Sequence, residues 1–488
     1  MSPSVEPFNE SKYRTLMDGL EATEISFSYI ISANDILRLD SFYFSKAFLQ
    51  EENIINTIHH LPLKQMMKSL RSFGAYSLNN EVEYIEKGVP LIRGVNLKAG
   101  TVDFSNMVFI SEKSHKLLWK SEVYPKTILL SMSGTIGDVA LANDFLPYPI
   151  NSNQDIAKIE LKKGFNPYFV FAFLGTKYGQ NYLLREARGS VQQHVFLSQI
   201  EQFKIPIFSP QFQNMVEYIV NSFHEKLEKS KQLYFNAESL LLSNLGFENY
   251  TLNTSGIAIK SFKSSFGISG RFDSEYYQPK YEEIETRISA EGTVASSCIL
   301  HDTNFVPDDK VEYRYIELSN IGKNGEISDV KIAVGEDLPT RARRLVKKGQ
   351  VIVSSIEGSL GSCALIYDEY DGAVCSTGFY IVSSDKINSE TLLTIFKSSA
   401  IQALMKKRCS GTILTAINKD EFLSLPIPTV DTDIQLEIAK KIKESFALRK
   451  KSIELLELAK TAVEVAIEQG EDNAMVLLGG TVCSSKSQ

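Results

Sequence analysis

No stretch of this 488-residue chain strings together the ~18 apolar residues that a membrane-spanning helix needs. The opening MSPSVEPFNESKY holds no basic cluster running into an apolar one, so a secretory signal is not expected and the chain is placed in the cytoplasm. Cysteine is scarce. The five, at 298, 363, 375, 409 and 483, never approach a C-x-x-C spacing, which excludes a zinc ribbon and a disulfide framework and fits thiols of a reducing compartment. The six histidines form no H-x-x-x-H pair, and no G-x-x-x-x-G-K-[ST] loop exists for nucleotide hydrolysis. A net charge of −7 is an unusual balance for a nucleic-acid coat, so basic character has to be sought locally. What remains, 43% hydrophobic and 23% charged residues, is ordinary globular composition with room for several cores.

The chain repeats itself. RLDSFYFSKAF (38–48) returns as RFDSEYYQPKY (271–281), with Arg38, Asp40, Ser41 and Tyr43 answering Arg271, Asp273, Ser274 and Tyr276. PLIRGVNLKAGTVDF (90–104) answers RYIELSNIGKNGEISD (314–329), and ILLSMSGTIGDVAL (128–141) answers IVSSIEGSLGSCAL (352–365), both at an offset of 224. Apolar, β-branched residues run into G-x-x-G in each copy, as in a buried strand followed by a turn that needs positive φ or close backbone approach. A fourth echo joins REARGSVQQHVFLSQIEQFKIPIF (185–208) to KKRCSGTILTAINKDEFLSLPIPT (406–429), and it sets Leu197 on Ile417, Phe203 on Leu423 and Pro206 on Pro426.

Each copy then enters a long, charged, proline-free segment that stops at a glycine, 211–246 and 433–470, the usual C-terminal signal of a helix. Val216, Val220, Phe223, Leu227, Ser230, Tyr234, Ala237 and Leu241 alternate steps of four and three, a heptad seam. The second seam is read as Ile438, Ile442, Phe446, Ile453, Leu456, Val463 and Ile467, interrupted by Arg449 and Lys460. A helix of about 35 residues spans on the order of 50 Å, more than one head of this size needs as cover. Pairing of the two helices is therefore expected. The fold class is α+β: two similar α/β heads (1–208 and 270–429), each followed by a long helix (209–246 and 430–470), a linker (247–269) and a flexible tail (471–488). The helices would form an antiparallel coiled coil with pseudo-twofold symmetry.

From about residue 15 to about 470 these duplicated features resemble the specificity subunit of a type I restriction–modification system. The resemblance rests on the order and duplication of R-x-D-S-x-Y, G-x-x-G, the G-[ST] turn, IPIF or PIPT, and the heptad helices. It implies that each head is a target recognition domain reading one half of a split sequence in double-stranded DNA. The helices would set the spacing and dock two methyltransferase subunits, with restriction subunits as further partners. The chain itself would do no chemistry and hold no cofactor; S-adenosylmethionine, and ATP with Mg2+, would belong to the partners. Asn151-Ser-Asn-Gln-Asp155 stands where the second head has Cys375-Ser-Thr-Gly-Phe379, so the two half-sites should differ and the target should be asymmetric.

On that reading, basic residues hold phosphates and polar side chains at strand ends meet base edges. Arg185 and Arg188 precede Gly189-Ser190 and then Gln192, Gln193 and His194, while Lys406, Lys407 and Arg408 precede Gly411-Thr412. A phosphate clamp explains this pattern, and so does a solvated helix end whose dipole favours cations. Arg341, Arg343, Arg344, Lys347 and Lys348 form a run without an acid. Base-reading candidates are Arg93, Asn96, Ser131, Ser133 and Thr135, and in the second head Glu317, Asn320, Ser355, Glu357 and Ser359; each is also an ordinary turn or strand residue. Asn166-Pro167-Tyr168-Phe169 is similar to the N-P-P-[YF] of amino-methyltransferases but lacks its second proline. Pro307-Asp308 with Asp329-x-Lys331 fits a nuclease-like spacing that recurs by chance. The competing reading is a coiled-coil scaffold with duplicated heads that never touches DNA; a salt-dependent affinity for duplex separates the two.

Overall fold

The β-branched runs expected to be buried strands are so. Ile128–Ser131 and Val351–Ser354 are buried at every position, and each sits second in a four-stranded antiparallel sheet. In the computed structural model of the chain, which describes residues 8–33, 38–72, 81–189, 193–248, 257–288, 292–411 and 415–485, contacts divide the chain into two units. One comprises residues 1–225 and 451–488, the other residues 226–450. The first unit orders its sheet Val139–Leu141, Ile128–Ser131, Ile156–Leu161, Met67–Arg71. A five-stranded mixed sheet runs Tyr84–Ile85, Val108–Ile110, Val89–Ile92, Ile150–Ser152, Glu122–Val123, with Val89–Ile92 and Ile150–Ser152 parallel. The second unit repeats the plan. Cys363–Leu365, Val351–Ser354, Phe379–Ser383 and Ile299–Leu300 make its antiparallel sheet. Lys331–Val334, Glu312–Ile316, Val374–Ser376 and Ala342–Leu345 make its mixed sheet, again with the central pair parallel.

Strand pairing corrects the alignment of the repeats. Leu63 N–H donates to Phe203 O and Val294 N–H to Leu425 O; likewise Val195 N–H reaches Met132 O and Ile417 N–H reaches Ser355 O. Phe203 therefore corresponds to Leu425, Val195 to Ile417 and Pro206 to Pro428, two residues from the sequence match. The G-x-x-G turns also differ. Gly134 and Gly137 hold φ of 73° and 94°, and a Cβ on Gly137 would lie 2.5 Å from Gln180 Oε1. In the second copy Glu357–Ser359 makes a 3-10 turn instead, and Gly358 and Gly361 meet neither requirement. Asn166 is simply a helix cap, its Oδ1 accepting from Tyr168 N–H at 2.9 Å and Phe169 N–H at 3.1 Å, with Pro167 at the first helical position.

The long segments are continuous helices, Pro210–Asn244 and Thr432–Gln469. All eight seam residues of the first are buried. The second follows a different seam from the one read in the sequence: Ile438, Ile442, Ser445, Ser452, Leu456, Ala459, Val463 and Ala466 are buried, while Ile453 is 47% exposed. Heptad spacing is kept through Arg449, whose guanidinium pairs with Glu326 at 2.6 Å. In the second unit Ser445 Oγ donates to Ser230 O at 2.8 Å, and one core takes Tyr234, Ala237 and Leu241 from the first helix and Ile438 and Ile442 from the second. Residues Glu471–Ser485, expected to be a flexible tail, form a helix that buries Ala474 and Leu478.

One buried polar group has no counterpart in the other half. Lys158, fully buried, pairs in register with Leu129; in the second unit Ile381 pairs with Ile352 at the matching place. Lys158 Nζ donates to Ser152 Oγ at 2.8 Å, but burial, with the nearby Arg71 guanidinium adding to it, pushes the ammonium down to about 7. Unfolding then takes up a proton at any pH between about 7 and the ordinary lysine value, so stability rises with pH across that window and the full cost stands below it. Lys158→Ile, which copies the second half, is expected to stabilise the chain at pH 7.5 by about 2–4 kcal/mol. It should also abolish the gain expected of wild type between pH 7.5 and 9. Urea unfolding at the two pH values measures both.

Candidate nucleic-acid interface

The repeated R-x-D-S-x-Y is a clip on a helix end. Arg38 binds Asp40 through Nε at 2.7 Å and Nη2 at 3.0 Å, and its Nη1 donates to Arg185 O at 2.8 Å. Asp40 Oδ1 accepts Tyr43 N–H at 3.0 Å. Arg271 repeats the bidentate pair with Asp273 at 2.7 and 3.0 Å and reaches Cys409 O at 3.1 Å. In both copies a guanidinium tethered by a carboxylate satisfies carbonyls at the C-terminus of a helix, Lys177–Glu186 or Ser399–Arg408. These hydrogen bonds hold Asp40 and Asp273 below the usual carboxylate range. Cations also lie over the motif tyrosines: Arg38 and Arg185 at 4.6 and 4.2 Å from the Tyr43 ring, Arg271 and Lys407 at 4.4 and 5.0 Å from Tyr276. The clip thus fixes the take-off of the G-[ST] loop that follows each helix.

The described residues on either side of that loop meet the other repeated motifs beyond the carboxyl ends of the parallel strands, the side on which open α/β sheets bind ligands. In the first unit Ser133 bridges His194, which also bridges Arg188. Ser133 Oγ donates to Asp155 Oδ1 at 2.6 Å, and Thr135 Oγ1 to Ser131 Oγ at 3.3 Å. Gly94 stands so close that a Cβ there would lie 3.1 Å from Ser131 Oγ. In the second unit Ile356 and Ser410 both bridge Ala416, and Glu357 accepts from Thr415 Oγ1. Arg341 pairs with Glu317 at 3.4 Å, while its carbonyl accepts Thr377 N–H.

Within these clusters the candidates separate into fold and surface. Asn96 and Asn320 are buried staples: the Oδ1 atoms accept Arg93 N–H (3.0 Å) and Glu317 N–H (2.8 Å), and the Nδ2 atoms donate to Asp103 O (3.0 Å) and Asp329 O (2.9 Å). Ser131, Ser133 and Ser355 are buried as well, Ser355 Oγ donating to Gly378 O. Burial and internal partners engage these five within the fold. Arg185 is likewise held inside the fold. At 5% exposure it pairs with Glu52 at 2.8 Å and donates to Tyr43 O. Lys407 and Arg408 pair with Glu285 at 2.9 and 3.1 Å, which leaves Lys406 as the exposed member of that trio. Thr135, Gln193, Arg341, Arg343 and Lys347 are exposed. Arg93, Arg188, Arg344, Glu357 and Ser359 are half-buried, with Arg93 donating to Asn106 O and Arg344 to Asp302 O. Lys348 pairs with Asp368 at 2.6 Å. Ser190, Gln192 and Thr412 lie outside the described residues. Among those described, no group of three or more His, Cys, Asp or Glu side chains is placed to hold a metal ion, and no helix is long and apolar enough to cross a membrane.

The sequence reading missed a basic edge in the first unit. Glu122–Val123 pairs antiparallel with Ile150–Ser152, just as Ala342–Leu345 pairs with Val374–Ser376. Residues Trp119 and Lys120 thus stand where the second unit carries its arginine run, and Lys113 and Lys116 precede them on the helix Glu112–Leu117. The signal available was four lysines against two glutamates in SEKSHKLLWKSEVYPK (111–126).

A family model described as the type I restriction modification DNA specificity domain matches twice, over residues 77–233 and 301–458. Both R-x-D-S-x-Y copies fall outside those segments. The type I restriction enzyme EcoDI specificity subunit of Escherichia coli is 30% identical over 112 residues, 23% of this chain, and the chain spans about a quarter (24%) of the length of that curated relative. Among solved structures, the type I restriction-modification S subunit from M. genitalium is 16% identical with a TM-score of 0.39, covering 87% of this chain and 96% of that one. The HsdS subunit from Thermoanaerobacter tengcongensis is 12% identical with a TM-score of 0.29, covering 84% and 97%.

Proposed function

Because this chain belongs to the type I restriction–modification DNA specificity family, we propose that it is the sequence-recognition subunit of such a system. It reads the two halves of a split DNA target and positions methyltransferase subunits, and restriction subunits where present, over it. The observation that carries this reading is the duplication of the family's domain. Each copy assembles its loops at the same place but arms them differently: Arg93 against Glu317, and Trp119-Lys120 against the arginine run. Heads that differ in this way suit half-sites that differ. Catalysis, with S-adenosylmethionine and ATP with Mg2+, falls to the partners.

The long helices serve as the spacer, paired antiparallel through their heptad seams with pseudo-twofold symmetry. The Ser230–Ser445 contact supports this, as does Ser209 N–H donating to Glu471 Oε1 at 2.9 Å, which brings the start of one helix near the end of the other. Co-expression with the methyltransferase subunits in a host without this methylation, read by single-molecule methylation sequencing, tests the function: a split, asymmetric motif is the expected result. A chain that leaves the DNA unmodified and binds duplex without salt dependence is a scaffold. Within this reading, Arg341, Arg343 and Arg344 hold phosphates. Their joint replacement by alanine is expected to weaken binding on every duplex alike and to flatten the slope of log K against log salt by about 3. Loss of discrimination at one base instead would reassign them to readout.

A further inference from the structure

We propose that the Lys113–Lys120 edge of the first head is a DNA contact in which the Trp119 indole packs on the bases of the first half-site and Lys113, Lys116 and Lys120 hold its phosphates. The inference rests on the functional reading above and names the residues through which the first head would do its part. Trp119 is the single tryptophan of the chain, and it is 61% exposed, although an indole is among the side chains with most to gain from burial. Lys120 Nζ stands 5.4 Å from its ring centroid. Beside it Tyr124, also exposed, carries the Arg71 guanidinium 5.5 Å over its ring.

Charge distinguishes this edge from an ordinary solvated face. Lys68 and Arg71 nearby both pair with the Glu160 carboxylate. Lys113, Lys116 and Lys120 are exposed and have no carboxylate within ion-pair distance among the described residues. The acids of the segment are Glu112 and Glu122, and Glu122 accepts the Tyr124 hydroxyl at 2.8 Å. An unneutralised row of lysines with an aromatic ring among them complements a polyanion whose major groove also exposes apolar thymine methyl groups, and a duplex offers both.

Position supplies the second argument. The strand Glu122–Val123 closes the mixed sheet next to Ile150–Ser152, whose parallel neighbour Val89–Ile92 leads into Arg93. In the second head Ala342–Leu345 closes the sheet next to Val374–Ser376, whose parallel neighbour leads into Glu317. The same edge therefore stands beside the carboxyl end of the same strand in both heads, carrying lysines and an indole in one and arginines in the other. On the functional reading above the arginines of the second head hold phosphates, whereas an indole makes apolar contact with base edges, for example with thymine methyl groups. The two heads would then use different chemistry at equivalent places.

The test uses the full chain with its methyltransferase subunits and the methylated motif read from the wild type. Trp119→Ala is expected to lower methylation of the motif at least tenfold, or to blur positions in one half while the other half stays sharp; Trp119→Phe should retain most of it. The Lys113→Gln, Lys116→Gln, Lys120→Gln triple should weaken binding on all duplexes and flatten the salt slope by about 3. Because Trp119 is the chain's sole indole, its emission in the purified chain should change when a duplex carrying the motif is added. An unchanged motif and rate in Trp119→Ala, with the lysine triple binding as wild type does, overturns this inference alone. Absence of any motif with the wild-type chain overturns the functional reading as well.

Discussion

Glu52→Ala is expected to cost the chain about 3–5 kcal/mol, the toll of stranding buried charge. The Glu52 carboxylate receives Tyr29 Oη, Arg185 Nη1 at 2.8 Å and Lys204 Nζ at 2.9 Å. Burial alone would raise its pKa, yet these three donors outweigh it and hold the group at about 2. Without Glu52, Arg185 keeps its place over the Tyr43 ring with its counter-charge gone, at the end of the helix that feeds the recognition loop. The acid side of the same interaction follows. A folded carboxylate held below its ordinary value of 4.5 stabilises the protein above pH 4.5, and that contribution, about 3 kcal/mol, drains away as pH falls toward 2. Glu285→Ala removes the matching carboxylate in the second half, but its partners Lys407 and Arg408 are less deeply buried than Arg185, so the loss should be smaller. Chemical unfolding of the three proteins decides the matter. A cost below about 1 kcal/mol for Glu52→Ala would show the pair to be screened as surface pairs are.

The repeats were legible because an echo in sequence needs no knowledge of contacts. The buried strand and the first heptad seam follow from apolar spacing that Ile128–Ser131 and Val216–Leu241 display openly, whereas strand order and the parallel central pair depend on distant pairings that such spacing does not encode. The second seam was hidden by chemistry: Ser445 and Ser452 read as polar positions, and they are buried because a small hydroxyl can pack between helices, as Ser445 does with Ser230. Phe446 and Ile453 looked the better seam residues and sit one position outside it. Arg185 misled for a different reason. Its partner Glu52 lies 133 residues away, so a basic residue before a glycine turn could not be told from a phosphate clamp. The duplication did contain the clue, since Glu52 and Glu285 stand at the same offset as the R-x-D-S-x-Y copies. The Trp119 edge was invisible in sequence because its likeness to Arg341–Arg344 is one of strand register. Asn96 and Asn320 were picked out by their recurrence, and both side chains serve the turn by bonding its backbone.

Inserting four residues into each long helix, between Glu225 and Lys226 and between Lys450 and Lys451, is expected to change the recognised sequence itself. Both insertions fall at the borders between the two units, so each head keeps its own helix segments. At 1.5 Å per residue the spacer grows by about 6 Å, close to two base-pair rises. The gap between the half-sites should widen by about two base pairs with both halves unaltered. Four residues also advance an α-helix by about 400°, which leaves the heads turned by about 40° and leaves the seam in a stutter rather than broken phase. Some loss of rate is therefore expected along with the wider gap. If the helices pair as proposed, insertion into one helix only puts the two seams out of step and should abolish methylation, because such a spacer cannot lengthen on one side. Single-molecule methylation sequencing reads all three cases. A double insertion that keeps the original gap would mean that something other than the helices sets the distance.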